Sequence, residues 1–162
     1  MKTNLLLYML AIFIIIGCSQ EMEVIKHGKG NRTSAESPKN TSQRPPNLKI
    51  SVNDKEFVAA LNGYSWSYYD EAEKGMAGIE AEAISVSDLI GNREAPVVNS
   101  DTSIELKFEE KPTFYEVYVL GSVPLKGGTD VILDRQVGRT VYEVKATWEQ
   151  GTGYYVFPLT IE

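Results

Sequence analysis

A chain of 162 residues, 43% of them hydrophobic and 23% charged, suits one core of ordinary size. Its 22 acidic against 16 basic residues, a formal charge of −6, argue against a nucleic-acid partner, because phosphate contact needs dense Lys and Arg. A single cysteine excludes an internal disulfide scaffold and a thiolate metal site.

The chain opens on Met1, Lys2, Thr3 and Asn4, then runs apolar from Leu5 to Ile16 with only Tyr8 weakly polar. A charged start before a short apolar stretch is the layout of an export leader. Twelve residues of helix would rise only about 18 Å, well short of a hydrocarbon core of roughly 30 Å, so a stable spanning anchor is not expected. The run ends in Ile15-Ile16-Gly17-Cys18, which resembles the lipobox of bacterial lipoproteins. That resemblance implies diacylglyceryl transfer to the Cys18 thiol and then cleavage after Gly17, with the choice between a diacyl and a triacyl anchor left open. Residues 1–17 are then a signal peptide, and the mature chain is held by membrane lipid on the extracytoplasmic side of a cell membrane or outer membrane. Ser19, where an aspartate would signal inner-membrane retention, leaves the choice of membrane open.

Residues 18–47 follow as a lipidated, flexible tether. Gly28, Gly30, Ser34, Pro38, Asn40, Pro45 and Pro46 punctuate it, and its composition cannot bury enough apolar surface to offset chain entropy. The only histidine, His27, falls here, with no rigid neighbour to orient it for catalysis.

From residue 48 to 162 the chain carries ten basic and nineteen acidic residues, and its apolar spacing has period two. Leu48, Ile50 and Val52 alternate with polar residues; so do Ile104, Leu106 and Phe108. Phe57 to Tyr69 predicts one or two strands, with Phe57 to Leu61 also readable as a short helical turn. Asp70 to Ile79 is the one stretch that could support a helix, although Gly75 and Gly78 weaken it. Thr113 to Leu120 has Tyr115, Val117 and Val119 on one face and only partly polar residues on the other, which predicts a strand that is central or covered on both sides. Val131 and Leu133 suggest a short one. Tyr142, Val144, Ala146 and Trp148 line one face of a strand, and Gly151 and Gly153 punctuate a turn before Tyr155, Phe157, Leu159 and Ile161. Pro158, on the opposite phase, predicts an edge position or a ladder break. The domain is expected to be all-β: an antiparallel, Ig-like sandwich of seven or eight strands, with a compact barrel as the alternative.

Gly138, Tyr142, Ala146-Thr147-Trp148, Gly151-Thr152-Gly153 and Tyr154-Tyr155-Val156-Phe157 resemble the closing hairpin of small uncharacterised lipoproteins from spore-forming, Bacillus-type bacteria. Gly63-Tyr64-Ser65-Trp66 is similar to an early strand of the same domain, and Pro124 suits that layout. The resemblance implies a β-sandwich and supplies no activity to carry over.

Three groups of residues are candidates for chemistry. Tyr64, Trp66 and Tyr68 share one strand phase and could form an aromatic face for a peptide, a glycan or an envelope protein, with core packing as the default alternative. Asp70, Glu71, Glu73, Glu80 and Glu82 could supply oxygen ligands to a weakly held Ca²⁺, although their order does not fit the twelve-residue calcium loop. A pair of acids could also serve a hydrolase, but no spacing singles one out. With no cofactor and no catalytic residue indicated, the expectation is a non-catalytic binding or interaction domain. The alternatives are a cation-dependent module using residues 70–82 and an extracytoplasmic hydrolase using an acidic pair.

Overall fold

The computed structural model describes residues 40–121, 128–133 and 137–162; the leader, Gly17, Cys18, His27 and Pro124 lie outside the described residues. The described chain is almost entirely β. In chain order come β1 (Leu48–Val52), β2 (Lys55–Val58), β3 (Ala60–Asp70), β4 (Gly75–Ala81), the helix α1 (Val86–Ile90), β5 (Val97–Val98), β6 (Ile104–Phe108), β7 (Phe114–Val119), β8 (Gly138–Trp148) and β9 (Gly151–Ile161). No helix among the described residues is long and apolar enough to cross a membrane.

Two antiparallel sheets form, one ordered β2-β1-β6 and the other β4-β3-β9-β8-β7, with β5 added in parallel to the end of β9. Neither sheet closes on itself, so the architecture is a sandwich and the barrel alternative falls. The alternating faces read from the sequence meet between the sheets. Leu48, Ile50, Tyr142, Val144, Ala146, Trp148, Tyr155, Phe157 and Leu159 share one core, each at most 5% exposed. Tyr142 stacks on Phe157 at 5.4 Å and 15°, and Phe57 meets Phe157 edge-on at 6.3 Å. Such pairs contribute roughly 0.5–1.5 kcal/mol beyond the area they bury.

The hairpin of β3 and β4 replaces the helix that Asp70 to Ile79 allowed. The Asp70 carboxylate accepts the N–H groups of Ala72 and Glu73, at 2.8 and 3.2 Å, and Lys74 closes the turn at φ 53°. Gly75 and Gly78, poor in a helix, then lie in β4 opposite Asp70 and Ser67. This hairpin takes the strand count among the described residues to nine. The true helix, α1, covers the outer side of the larger sheet at one end, where Ile90 packs with Ala60 and Val156. Two further expectations are corrected. Val131 and Leu133 lie in irregular chain, tied down by the bond from the Tyr142 hydroxyl to the Ile132 carbonyl at 2.8 Å. And β7 stands at the end of its sheet, bridged on its far side at Val117–Gly128, with Phe114 55% exposed.

Pro158 is buried in a central strand. Thr160 and Glu162 donate their N–H groups to Pro96 and Val98, on the β5 side of β9. Two residues earlier the same edge presents Pro158, which has no N–H. It falls between the last β3 partner, at Val156, and the first β5 partner, at Thr160. The proline therefore occupies the gap where β9 changes partners, which is the ladder break that the sequence allowed.

Two substitutions test this packing. An alanine Cβ at Gly151 would stand 2.0 Å from the Ser65 carbonyl oxygen, so Gly151→Ala is expected to cost about 2 kcal/mol or more in denaturant unfolding. The Thr140 hydroxyl is buried without a hydrogen-bond partner among the described residues. Thr140→Val keeps the shape and removes the unpaired group, and is expected to stabilise by about 1 kcal/mol. A loss on Thr140→Val would show that the hydroxyl is satisfied in solution.

Candidate functional site

Alternation along β3 sends Tyr64, Trp66 and Tyr68 to the inner side of the larger sheet. The same register puts Ser65, Ser67 and Tyr69 on the outer side. Trp66 is 2% exposed, and Tyr64 and Tyr68 pack half-buried against the same core. The three residues thus share a face, as predicted, but the face is covered. Trp66 meets Trp148 edge-on at 5.6 Å, and Trp148 in turn meets Phe108 at 6.0 Å and Tyr155 at 6.5 Å.

What covers Trp66 is the chain itself, in a segment that composition assigned to the tether. Residues 40–47 belong to the same compact unit as the strands, so ordered chain begins before residue 48. The Asn40 carbonyl accepts the Tyr69 N–H at 2.7 Å, beyond the end of the β8–β9 hairpin. The Trp66 indole Nε1 donates to the Ser42 carbonyl at 3.0 Å, and the Tyr155 hydroxyl donates to the Pro46 carbonyl at 2.5 Å. Pro45 is buried over Gly153, where a side-chain Cβ would come within 3.2 Å of the proline Cβ and Cγ. Glycine there gives the proline ring a close approach that any Cβ would tighten by a few tenths of an ångström. The segment ends at Asn47, whose N–H and side-chain amide both reach Glu109 Oε2, at 3.1 and 3.0 Å.

Beside this strap lies a cleft of about 640 Å³, lined by Ser42, Arg44, Asn47, Trp66, Glu109 and Glu110 among others. The Trp148 indole donates to the Glu110 carbonyl at 3.0 Å and so fixes one wall. Burial pushes the Tyr155 phenol above its ordinary value of 10.0, keeping its proton available for the strap carbonyl. Sequence reasoning missed Ser42, Pro45, Pro46, Glu109 and Glu110. The adjacent prolines were the available signal, since a stiff segment loses little entropy on docking.

The acidic candidates are dispersed along the β3–β4 hairpin. Asp70, Glu71 and Glu73 belong to its turn. Glu80 accepts a bond from Ser65 at 3.4 Å five strand positions along β4, about 16 Å from Gly75, and Glu82 lies just past that strand. Among the described residues, no three His, Cys, Asp or Glu side chains are placed to hold a metal ion. A second titratable cluster lies on the outer side of the larger sheet. There the Tyr118 hydroxyl donates to Glu116 at 2.6 Å, and that bond, with burial, pushes the phenol up to about 12. Glu143, opposite Tyr118 on β8, is itself raised by desolvation.

No protein-family model matches the chain, and no curated protein or solved structure is significantly similar to it.

The Tyr155 bond is directly testable. Tyr155→Phe is expected to cost about 1 kcal/mol at neutral pH, read by thermal or denaturant unfolding. Its folded-state pKa is raised, so the unfolded chain releases this proton first. The contribution is fully present below pH 10.0 and is lost as pH rises through the folded-state value. Wild-type stability should fall more steeply above pH 10.0 than that of the phenylalanine variant; equal slopes would rule the buried phenol out as a source of that loss.

Proposed function

We propose that the chain is an extracytoplasmic lipoprotein, tethered to a cell-envelope membrane through acylated Cys18, whose sandwich is a non-catalytic binding domain. The anchoring half rests on the apolar leader and the Ile15-Ile16-Gly17-Cys18 motif. The binding half rests on one observation, the cleft of about 640 Å³ beside Trp66, walled by Glu109 and Glu110 and flanked by side-chain donors that already hold main-chain carbonyls. Indole N–H and phenol O–H groups set in an aromatic cluster suit the recognition of an extended chain, and they provide no nucleophile or acid–base pair. The hairpin acids behind the cation reading divide between the turn, with Asp70, Glu71 and Glu73, and the far end of β4, with Glu80 and Glu82.

Anchoring is tested with labelled palmitate in the native host. Wild-type protein should incorporate label and sediment with membranes, and Cys18→Ala should do neither; label retained by the alanine variant would sink the lipoprotein reading. Ligand binding is followed by tryptophan emission. Peptide or glycan fractions of the envelope should shift the signal of the wild-type chain and not that of Trp66→Phe. Trp148 still reports on the cleft in Trp66→Phe, so unchanged affinity of that variant, titrated by the same emission, would place the site elsewhere.

A further inference from the structure

We infer that the groove of Trp66, Gly153 and Tyr155 is a receptor for a basic, proline-containing peptide, with residues 42–47 as its resident occupant. This inference rests on the binding-domain reading above. A Pro-Pro segment offers no N–H groups, so a surface that recognises it must donate to its carbonyls and seat its rings. The groove does both. The Tyr155 hydroxyl donates to the Pro46 carbonyl at 2.5 Å, Gly153 lets the Pro45 ring approach closely, and three residues before that ring Trp66 Nε1 donates to the Ser42 carbonyl at 3.0 Å.

The occupant is shaped for the seat before it docks. Pro45 has its φ fixed by its own ring, and Pro46 after it disfavours the helical region, so Pro45 is biased to the extended polyproline conformation. Ser42 sets the preceding bend, with its hydroxyl donating to the Arg44 carbonyl at 2.8 Å and its N–H donating to the Asn40 side chain, also at 2.8 Å. Aromatic donors around a polyproline segment are a recurring mode of peptide recognition between separate molecules. Here the same contacts form within one chain.

Charge specifies the rest of the partner. Glu109 and Glu110 line the cleft together with Arg44, the residue just before the two prolines. The segment from residue 48 to 162 carries a formal charge of −9, which favours approach of a basic peptide. The cleft is open next to the strap and is lined by the strap's own Ser42, Arg44, Pro45, Pro46 and Asn47. A partner peptide carrying Arg or Lys before Pro-Pro can therefore begin contact at the acidic wall and displace the resident segment from the rings.

The test uses the full chain in detergent micelles and a fluorescein-labelled peptide of residues 40–47, read by anisotropy. Resident and added peptide compete, so weakening the resident segment must strengthen the added one. Two variants do this by different routes: the double change Pro45→Gly with Pro46→Gly loosens the backbone, and Arg44→Glu sets like charges against Glu109 and Glu110. Either should bind the peptide about tenfold tighter than wild type, and adding Tyr155→Phe should weaken that binding about fivefold. A peptide with both prolines changed to alanine, at unchanged charge, should bind at least about tenfold more weakly. The inference is overturned if both variants keep a wild-type far-UV circular dichroism spectrum and bind no tighter. It is also overturned if the alanine peptide binds equally well, an outcome that would leave the broader binding-domain reading standing.

Discussion

Strand β9 must satisfy three other strands along its length. It pairs with β8 from Gly151 to Ile161, with β3 over the first half of its other edge, and with β5 at the last two positions. Both of its faces are covered through the middle: Tyr155, Phe157 and Leu159 meet the other sheet, and Val156 meets α1. A strand buried on both sides can leave no donor or acceptor stranded, because an unmet backbone group there costs about 1–3 kcal/mol. The change of partner from β3 to β5 would strand one N–H. Pro158 removes that donor, and so the chain can leave β3 at Ala59, cross to the smaller sheet and still close the larger one. The two-sheet arrangement follows from this local accommodation.

The alternating strands were legible because period two is written directly in their side chains. β1, β8 and β9 each carry a buried apolar phase, and β6 a half-buried one, that no helix would produce. The β3–β4 hairpin was less legible. The acids and alanine around Asp70 have fair helix propensity, and what defeats the helix is a single carboxylate that accepts two backbone N–H groups at the turn. β7 reads as central from its aromatic and β-branched content, yet it ends the sheet. Burial on both faces cannot be inferred from composition when an edge strand leaves a large ring such as Phe114 in solvent.

The candidate site shows a sharper limit. Sequence alone identified that Tyr64, Trp66 and Tyr68 share a face. It could not say what would lie on that face, because the covering residues are far away in sequence and polar in composition. Pro45, Pro46 and Ser42 belong to a stretch with too little apolar surface to form a core of its own. The stretch is ordered by borrowing contacts: a glycine that lets the proline ring approach, an indole and a phenol that reach its carbonyls, and a glutamate that takes both amide groups of Asn47. Composition measures what a segment can bury by itself and misses what a neighbouring surface offers it.

The order of these attachments along the chain matters for any pull that arrives from the amino-terminal side. Load would reach the bond at Asn40 first, then the indole bond at Ser42, then the seat of Pro45 and the phenol bond at Pro46, then the bonds that tie Asn47 to Glu109, and only afterwards Leu48. The attachments before Asn47 are separate and single, so they would yield one after another, like the teeth of a zip. β1 is different: Lys49, Ile50, Ser51 and Val52 are each paired on both sides, to β2 and to β6, and would resist together. The strap thus serves as a weak link in series with a strong one. It can release several residues of extended chain while the sandwich itself stays shut.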